Sequence, residues 1–192
     1  MNWNSHSYEV PEGAHAFLGA SSYSWLNYSE DKLAAVYRNH QAKQHGTEMH
    51  RIAADCIKNR IKVRGSKQTW YMYVNDAIGF NMTPEQPLYY SPNCFGTADA
   101  ILFKEKSGLL RIQDLKTGVT PASLHQLEIY AALFCLEYGK RLNFKPGDIS
   151  MELAIYQNDD ILIGIPTAED IVPIMDKIII FDKIINNINE EG

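Results

Sequence analysis

The sequence predicts an α/β fold, a central mixed sheet flanked by helices, and three observations predict it. Long stretches with helical apolar periodicity alternate with short runs rich in aromatic and β-branched residues. Two apolar runs between residues 96 and 118 are joined by a polar turn, as a hairpin requires. A second pair of runs, 151–156 and 161–165, flanks Asn158, Asp159 and Asp160 and reads as another hairpin.

Taken in order, residues 1–17 read as irregular, with Pro11 and Gly13. A short helix starts near Ser21 or Ser22, either of which can cap it. Residues 31–60 form a long helix, with an interruption near Gly46, and place His50, Ala53, Ala54, Ile57 and Ile61 on one face. QTWYMYV, residues 68–74, reads as a strand from its aromatic and β-branched content. Thr120 and Pro121 supply a cap and a first turn for a helix over 120–139. Thr167 caps a last helix to about residue 189, with Pro173 near its first turns. All of this amounts to one domain, a core over 18–165 and a C-terminal helix over 167–190.

Within the first hairpin, a loop of Glu105, Lys106, Ser107 and Gly108 pairs Lys104 with Leu109, Phe103 with Leu110 and Ile101 with Ile112. The same ladder sets Asp99 beside Asp114. One face then carries Asp99, Ile101, Phe103, Leu110, Ile112, Asp114 and Lys116, apolar at the turn and charged at the open end. The other carries Lys104, Arg111 and Gln113 and is more polar. Carboxylates are costly in an apolar surface unless partnered. Two of them facing a lysine suit a hard divalent cation, magnesium or manganese, with the lysine placed to position a water or offset charge on a phosphoryl group.

These residues resemble the PD-(D/E)XK nuclease superfamily, which carries an aspartate on one strand and (D/E)-x-K on the next: Gly96-Thr97-Ala98-Asp99, then Asp114-Leu115-Lys116. Three further stretches are similar to the branch that includes RecB and lambda exonuclease. They are the serine-rich start at 20–26, the G-x-x-x-H of Gly46 to His50, and the Q-x-x-x-Y of Gln126 to Tyr130. The resemblance spans roughly residues 18 to 138 and implies a restriction-endonuclease-like core. It further implies a metal-dependent DNA nuclease, most of all an exonuclease working from ends in recombination, repair or phage DNA processing. A structure-specific endonuclease or resolvase, or a weakly active DNA-binding subunit, are the alternatives on the same fold. Asp99, Asp114 and Lys116 are the implied catalytic residues, and His50, Asp99, Asp114 and the Leu115 carbonyl the implied ligands of one or two magnesium or manganese ions. A core role is the alternative for His50. Gln126 and Tyr130 are expected to meet DNA or the lysine, with core packing the alternative for Tyr130, and Ser22 either binds a phosphate or is a plain N-cap. Relatives with an iron-sulfur cluster hold it with four cysteines; Cys56, Cys94 and Cys135 are three and scattered, so no cluster is expected.

Composition sets wider bounds. A net charge of −5 argues against non-specific wrapping of nucleic acid but allows a locally basic cleft. No basic run followed by an apolar core opens the chain, and the apolar patch 178–181 is too short to span a bilayer. Unpatterned cysteines fit a reducing compartment, so a cytoplasmic protein is expected, phage-encoded in a bacterial host on the resemblance, with no membrane partner. Isoleucines from Ile171 to Ile188 form a stripe wider than one packed side needs, which leaves two readings open, packing entirely on the chain's own sheet and a homo-oligomer through the last helix. A single-strand annealing or recombination protein is the further partner that the resemblance implies.

Overall fold

The computed structural model describes residues 16–64 and 68–191, without the side chains of residues 21–23 and 191. Its contacts divide the chain into two compact units, Met1–His45 and Gly46–Gly192, and the division falls inside the long helix Glu30–Lys58. In the first unit, the short helix expected near Ser21 is a 3-10 helix, Ala20–Asn27. Phe17 lies edge-on to Tyr37, ring centroids 4.9 Å apart. Of the irregular stretch expected over 1–17, all but Ala16 and Phe17 lie outside the described residues. Helix α1, Glu30–Lys58, runs without the interruption expected at Gly46.

The second unit is the α/β body. After α1 come α2 (Thr69–Phe80), β1 (Thr83–Ser91), β2 (Cys94–Lys104), β3 (Leu109–Leu115), α3 (His125–Leu142), β4 (Ser150–Gln157), β5 (Asp160–Gly164) and α4 (Ala168–Glu191). The strands form one mixed sheet in chain order, antiparallel except for β3 beside β4, which α3 connects as a crossover. The first hairpin has the register its sequence predicts: Lys104 faces Leu109, Phe103 faces Leu110 and Ile101 faces Ile112. Gly108 closes the loop in the left-handed region at φ 60°, where a side chain would be strained. The second hairpin also forms, with Tyr156 opposite Ile161.

Residues 68–74 are not a strand but the start of α2, which presents Tyr73, Val74, Ala77 and Ile78 to the sheet. That spacing, with Trp70, is a helical template, and it overrides the β preference of the individual aromatics. Because α2 lies on the sheet, the polar face of the first hairpin is buried at Arg111 and Gln113, while Lys104 at the turn stays exposed. Arg111 and Gln113 are 7% and 0% exposed. Arg111 pairs with Glu152 and lies over the Phe80 ring, 3.9 Å from its centroid. With its amide turned so that the oxygen faces Arg111, Gln113 accepts from that side chain at 3.0 Å and 3.1 Å.

On the opposite face, α3 and α4 cover Ile101, Leu110, Ile112, Leu153 and Ile155. Helix α3 begins at His125, five residues after the expected start. The preceding loop is tied instead to Gln157, which donates to the Thr120 carbonyl at 2.8 Å and accepts from the Ala122 amide at 3.1 Å. Helix α4 starts after Thr167 as expected, with Asp170 accepting from the Thr167 amide and hydroxyl at 2.8 Å and 2.9 Å. Beyond its packed side, Ile180, Phe181, Ile184 and Ile188 are exposed. No helix among the described residues is long and apolar enough to cross a membrane.

Candidate active site

The open end of the first hairpin is where the charged residues meet. The β2–β3 ladder runs to Ala100 opposite Gln113, and the next step sets Asp99 beside Asp114. Across the other edge of β2, Pro84 faces Ala100 and Gln86 faces Ala98, so Glu85 stands level with Asp99. Three carboxylates on three adjacent strands thus share one row. Glu85 escaped the sequence reading because its strand did. Pro84 and Pro87 demote a run to an edge strand or to none, and β1 is indeed an edge. Its backbone is also unusual, φ 48° in a residue with a side chain, the kind of local strain that collects at functional sites.

Helix α1 delivers His50 to this row. Its Nδ1 lies 3.1 Å from Asp99 Oδ2, and the same oxygen accepts the Leu115 amide N–H at 3.0 Å. Gly46, one turn earlier, fits the G-x-x-x-H spacing: a Cβ there would stand 2.7 Å from Thr117 Oγ1, so a side chain at this position would have to displace Thr117 in the loop after β3. Gly96 plays the same part for α3, where a Cβ would lie 2.8 Å from the Tyr130 ring.

Lys116 and Asp114 face each other at the row's other end. The ammonium donates to Asp114 Oδ1 at 3.2 Å and to Gln126 Oε1 at 2.7 Å, and Gln126 in turn donates to the Tyr130 hydroxyl at 3.1 Å. Gln126, not Tyr130, therefore makes the contact with the lysine. Asp114 Oδ2 lies 3.0 Å from the same nitrogen but outside hydrogen-bonding geometry, and it is buried with no hydrogen-bond donor. Burial, and next the charge of Asp99, push the Asp114 carboxyl up to about 6, with Lys116 and His50 pulling the other way. The Asp99 hydrogen bond raises His50 against the cost of its burial. Burial and then Asp99 raise Glu85.

Of the residues singled out in the sequence, His50, Asp99, Asp114, Leu115, Lys116, Gln126 and Tyr130 come together here, Leu115 through its amide. Ser22 belongs to the other compact unit, and its side chain lies outside the described residues. Glu48 is engaged on the surface with Arg51. Among the described residues, no three His, Cys, Asp or Glu side chains are spaced as a ready cation cage. Asp99 is drawn to His50 and Asp114 to Lys116. Carboxylate oxygens and an imidazole are the donor types that hard divalent cations take, and one of these oxygens, Asp114 Oδ2, has no hydrogen-bond donor. In comparisons with known proteins, no family model, no curated protein and no solved structure matches the chain.

Proposed function

We propose that the chain is a metal-dependent nuclease that hydrolyses phosphodiester bonds in DNA from its ends, in the cytoplasm, on a restriction-endonuclease-like core. The observation that carries this is the buried Asp114 oxygen without a hydrogen-bond donor, set in a row of carboxylates beside Lys116. His50, Asp99, Asp114 and the Leu115 carbonyl would hold one or two magnesium or manganese ions, which supply Lewis acidity toward the scissile phosphate and a water of lowered pKa. Lys116, held between Asp114 and Gln126, orients the attacking water and offsets negative charge on the phosphoryl oxygens. Gln126 and Tyr130 keep the ammonium pointed at the row. Glu85 adds a third carboxylate within reach of the charges of Asp99 and His50.

The test is digestion of a closed circular plasmid and of its linearised form, in magnesium and in manganese. Linear DNA is expected to be degraded and closed circles spared, with a preference for manganese, since an imidazole ligand is softer than oxygen. Asp99→Ala, Asp114→Asn and Lys116→Ala are each expected to lose several orders of magnitude in rate. His50→Ala is expected to lose the manganese preference, and equal cutting of closed circles would turn the proposal to an endonuclease.

A further inference from the structure

The β1–β2 ribbon continues past the row of carboxylates after β3 has ended: the β2–β3 ladder stops at Ala100, while β1 and β2 stay paired from there to Ser91 and Cys94. One face of this projecting ribbon is packed. Leu88 and Ala98 are buried in the core under α3, and Gly96 lies against the Tyr130 ring. The other face is bare. By strand alternation it carries Glu85 level with Asp99, then Pro87 opposite Thr97, then Tyr89 opposite Phe95. Tyr89 and Phe95 are 50% and 68% exposed. Their rings lie within 25° of parallel with centroids 6.4 Å apart. At about 3.3 Å per residue, four residues separate this pair from the row by about 13 Å.

We infer that Tyr89 and Phe95 form a stacking platform for the unpaired bases of a single-stranded nucleic acid whose backbone passes on to the Glu85, Asp99 and Asp114 row. The inference rests on the nuclease reading of that row and names its immediate substrate, a single strand in place of an intact duplex. One property of the ribbon decides between strand types. An aromatic face binds any unstacked base and offers nothing to bases still stacked within a duplex. Residues 83–99 contain no lysine or arginine to hold the phosphates of either strand type, so binding on the ribbon falls to the rings. What the ribbon lacks in charge it presents as ring surface, so binding there should depend on stacking and only weakly on salt. The bare face of the ribbon leads to Glu85 and Asp99, so that a strand lying on it is aimed at the row.

The experiment measures binding of a labelled oligothymidine single strand, and of a duplex of the same length, to the full chain in calcium. It compares the wild type with Tyr89→Ala, Phe95→Ala, the double variant, and the ring-preserving Tyr89→Phe and Phe95→Tyr. Each alanine is expected to weaken single-strand binding about tenfold, and the ring-preserving pair to keep it. A 2-aminopurine placed in the strand is expected to be quenched by the wild type and not by the double variant. Single-strand affinity unchanged in the double variant overturns the platform and leaves the exposed rings to a protein partner. Duplex binding as tight as single-strand binding overturns it as well. Hydrolysis of bis(p-nitrophenyl) phosphate by the wild type with manganese tests the row separately: with hydrolysis present and no stacking effect, only the platform fails, and with no hydrolysis the nuclease reading beneath it fails.

Discussion

At the scale of single residues, the site is governed by what each carboxylate is paired with. Asp99 has two partners, His50 and the Leu115 amide, whereas both oxygens of Asp114 lie beside the Lys116 ammonium and only Oδ1 is hydrogen-bonded to it. Glu85 belongs to the same row but is the most accessible of the three, so its removal should cost function and not folding. Glu85→Gln is expected to lower manganese-dependent hydrolysis at least tenfold with an unchanged thermal midpoint, measured by initial rates and by melting followed in circular dichroism. Gly46 gives a prediction of opposite character. Alanine is the better helix former by about 1 kcal/mol, but here its methyl would press on Thr117 Oγ1. Gly46→Ala alone is expected to destabilise, and Gly46→Ala with Thr117→Ala to gain stability relative to Thr117→Ala. Denaturant midpoints of the four proteins close the cycle.

At the scale of elements, legibility followed the strength of local signals. The first hairpin could be read to the residue because its two runs alternate cleanly and its loop ends in a glycine at positive φ. Helix α2 could not, since Trp70, Tyr71 and Tyr73 favour strands one by one, while the i, i+3, i+4 spacing of Trp70, Tyr73 and Val74 becomes informative only once a sheet is there to receive it. Strand β1 was hidden by its prolines, and Glu85 with it. The two aspartates, the histidine and the glutamine–tyrosine step were all visible from spacing and resemblance, whereas the third carboxylate depended on a register no local pattern encodes. Helix α4 shows the same dependence on distant partners. Asp182 accepts from the Ser91 hydroxyl and from Asn93, which fastens the helix to the β1–β2 turn. Those hydrogen bonds, Ser91 first, hold the Asp182 carboxyl below its usual range. A depressed carboxyl contributes stability above its unfolded pKa and loses it as pH falls through the folded value. Thermal midpoints measured from pH 7 down to pH 3 should therefore fall less steeply for Asp182→Ala than for the wild type.

At the scale of the whole molecule, the sheet follows chain order from β1 to β5, and its one parallel pairing is bridged by α3. The candidate site hangs from that centre: β3 brings Asp114, β2 brings Asp99, and α1 and α3 add His50 and Gln126 from either side. Outward from it lie the exposed residues of α4, including Ile180 and Phe181, each more than half exposed. They are the basis for expecting self-association. Light scattering at high protein concentration should then report more than one chain per particle, and a monomer with and without DNA removes the expectation.

The burial of β3 sets a clock on the amide protons. Every residue from Leu110 to Leu115 is buried, and both neighbouring strands are bonded to it, so Leu110 and Ile112 have no small opening that exposes them to solvent. Their deuterium exchange should proceed only through global unfolding and so report the protein's full unfolding free energy. Leu115 differs, because its N–H is held by the Asp99 carboxylate at the strand's end. In Asp99→Ala that proton is expected to exchange faster than those of Leu110 and Ile112, while in the wild type it should be protected alongside them. Mass-resolved exchange of the two proteins would then separate, within one strand, the stability of the fold from the local order of the site it carries.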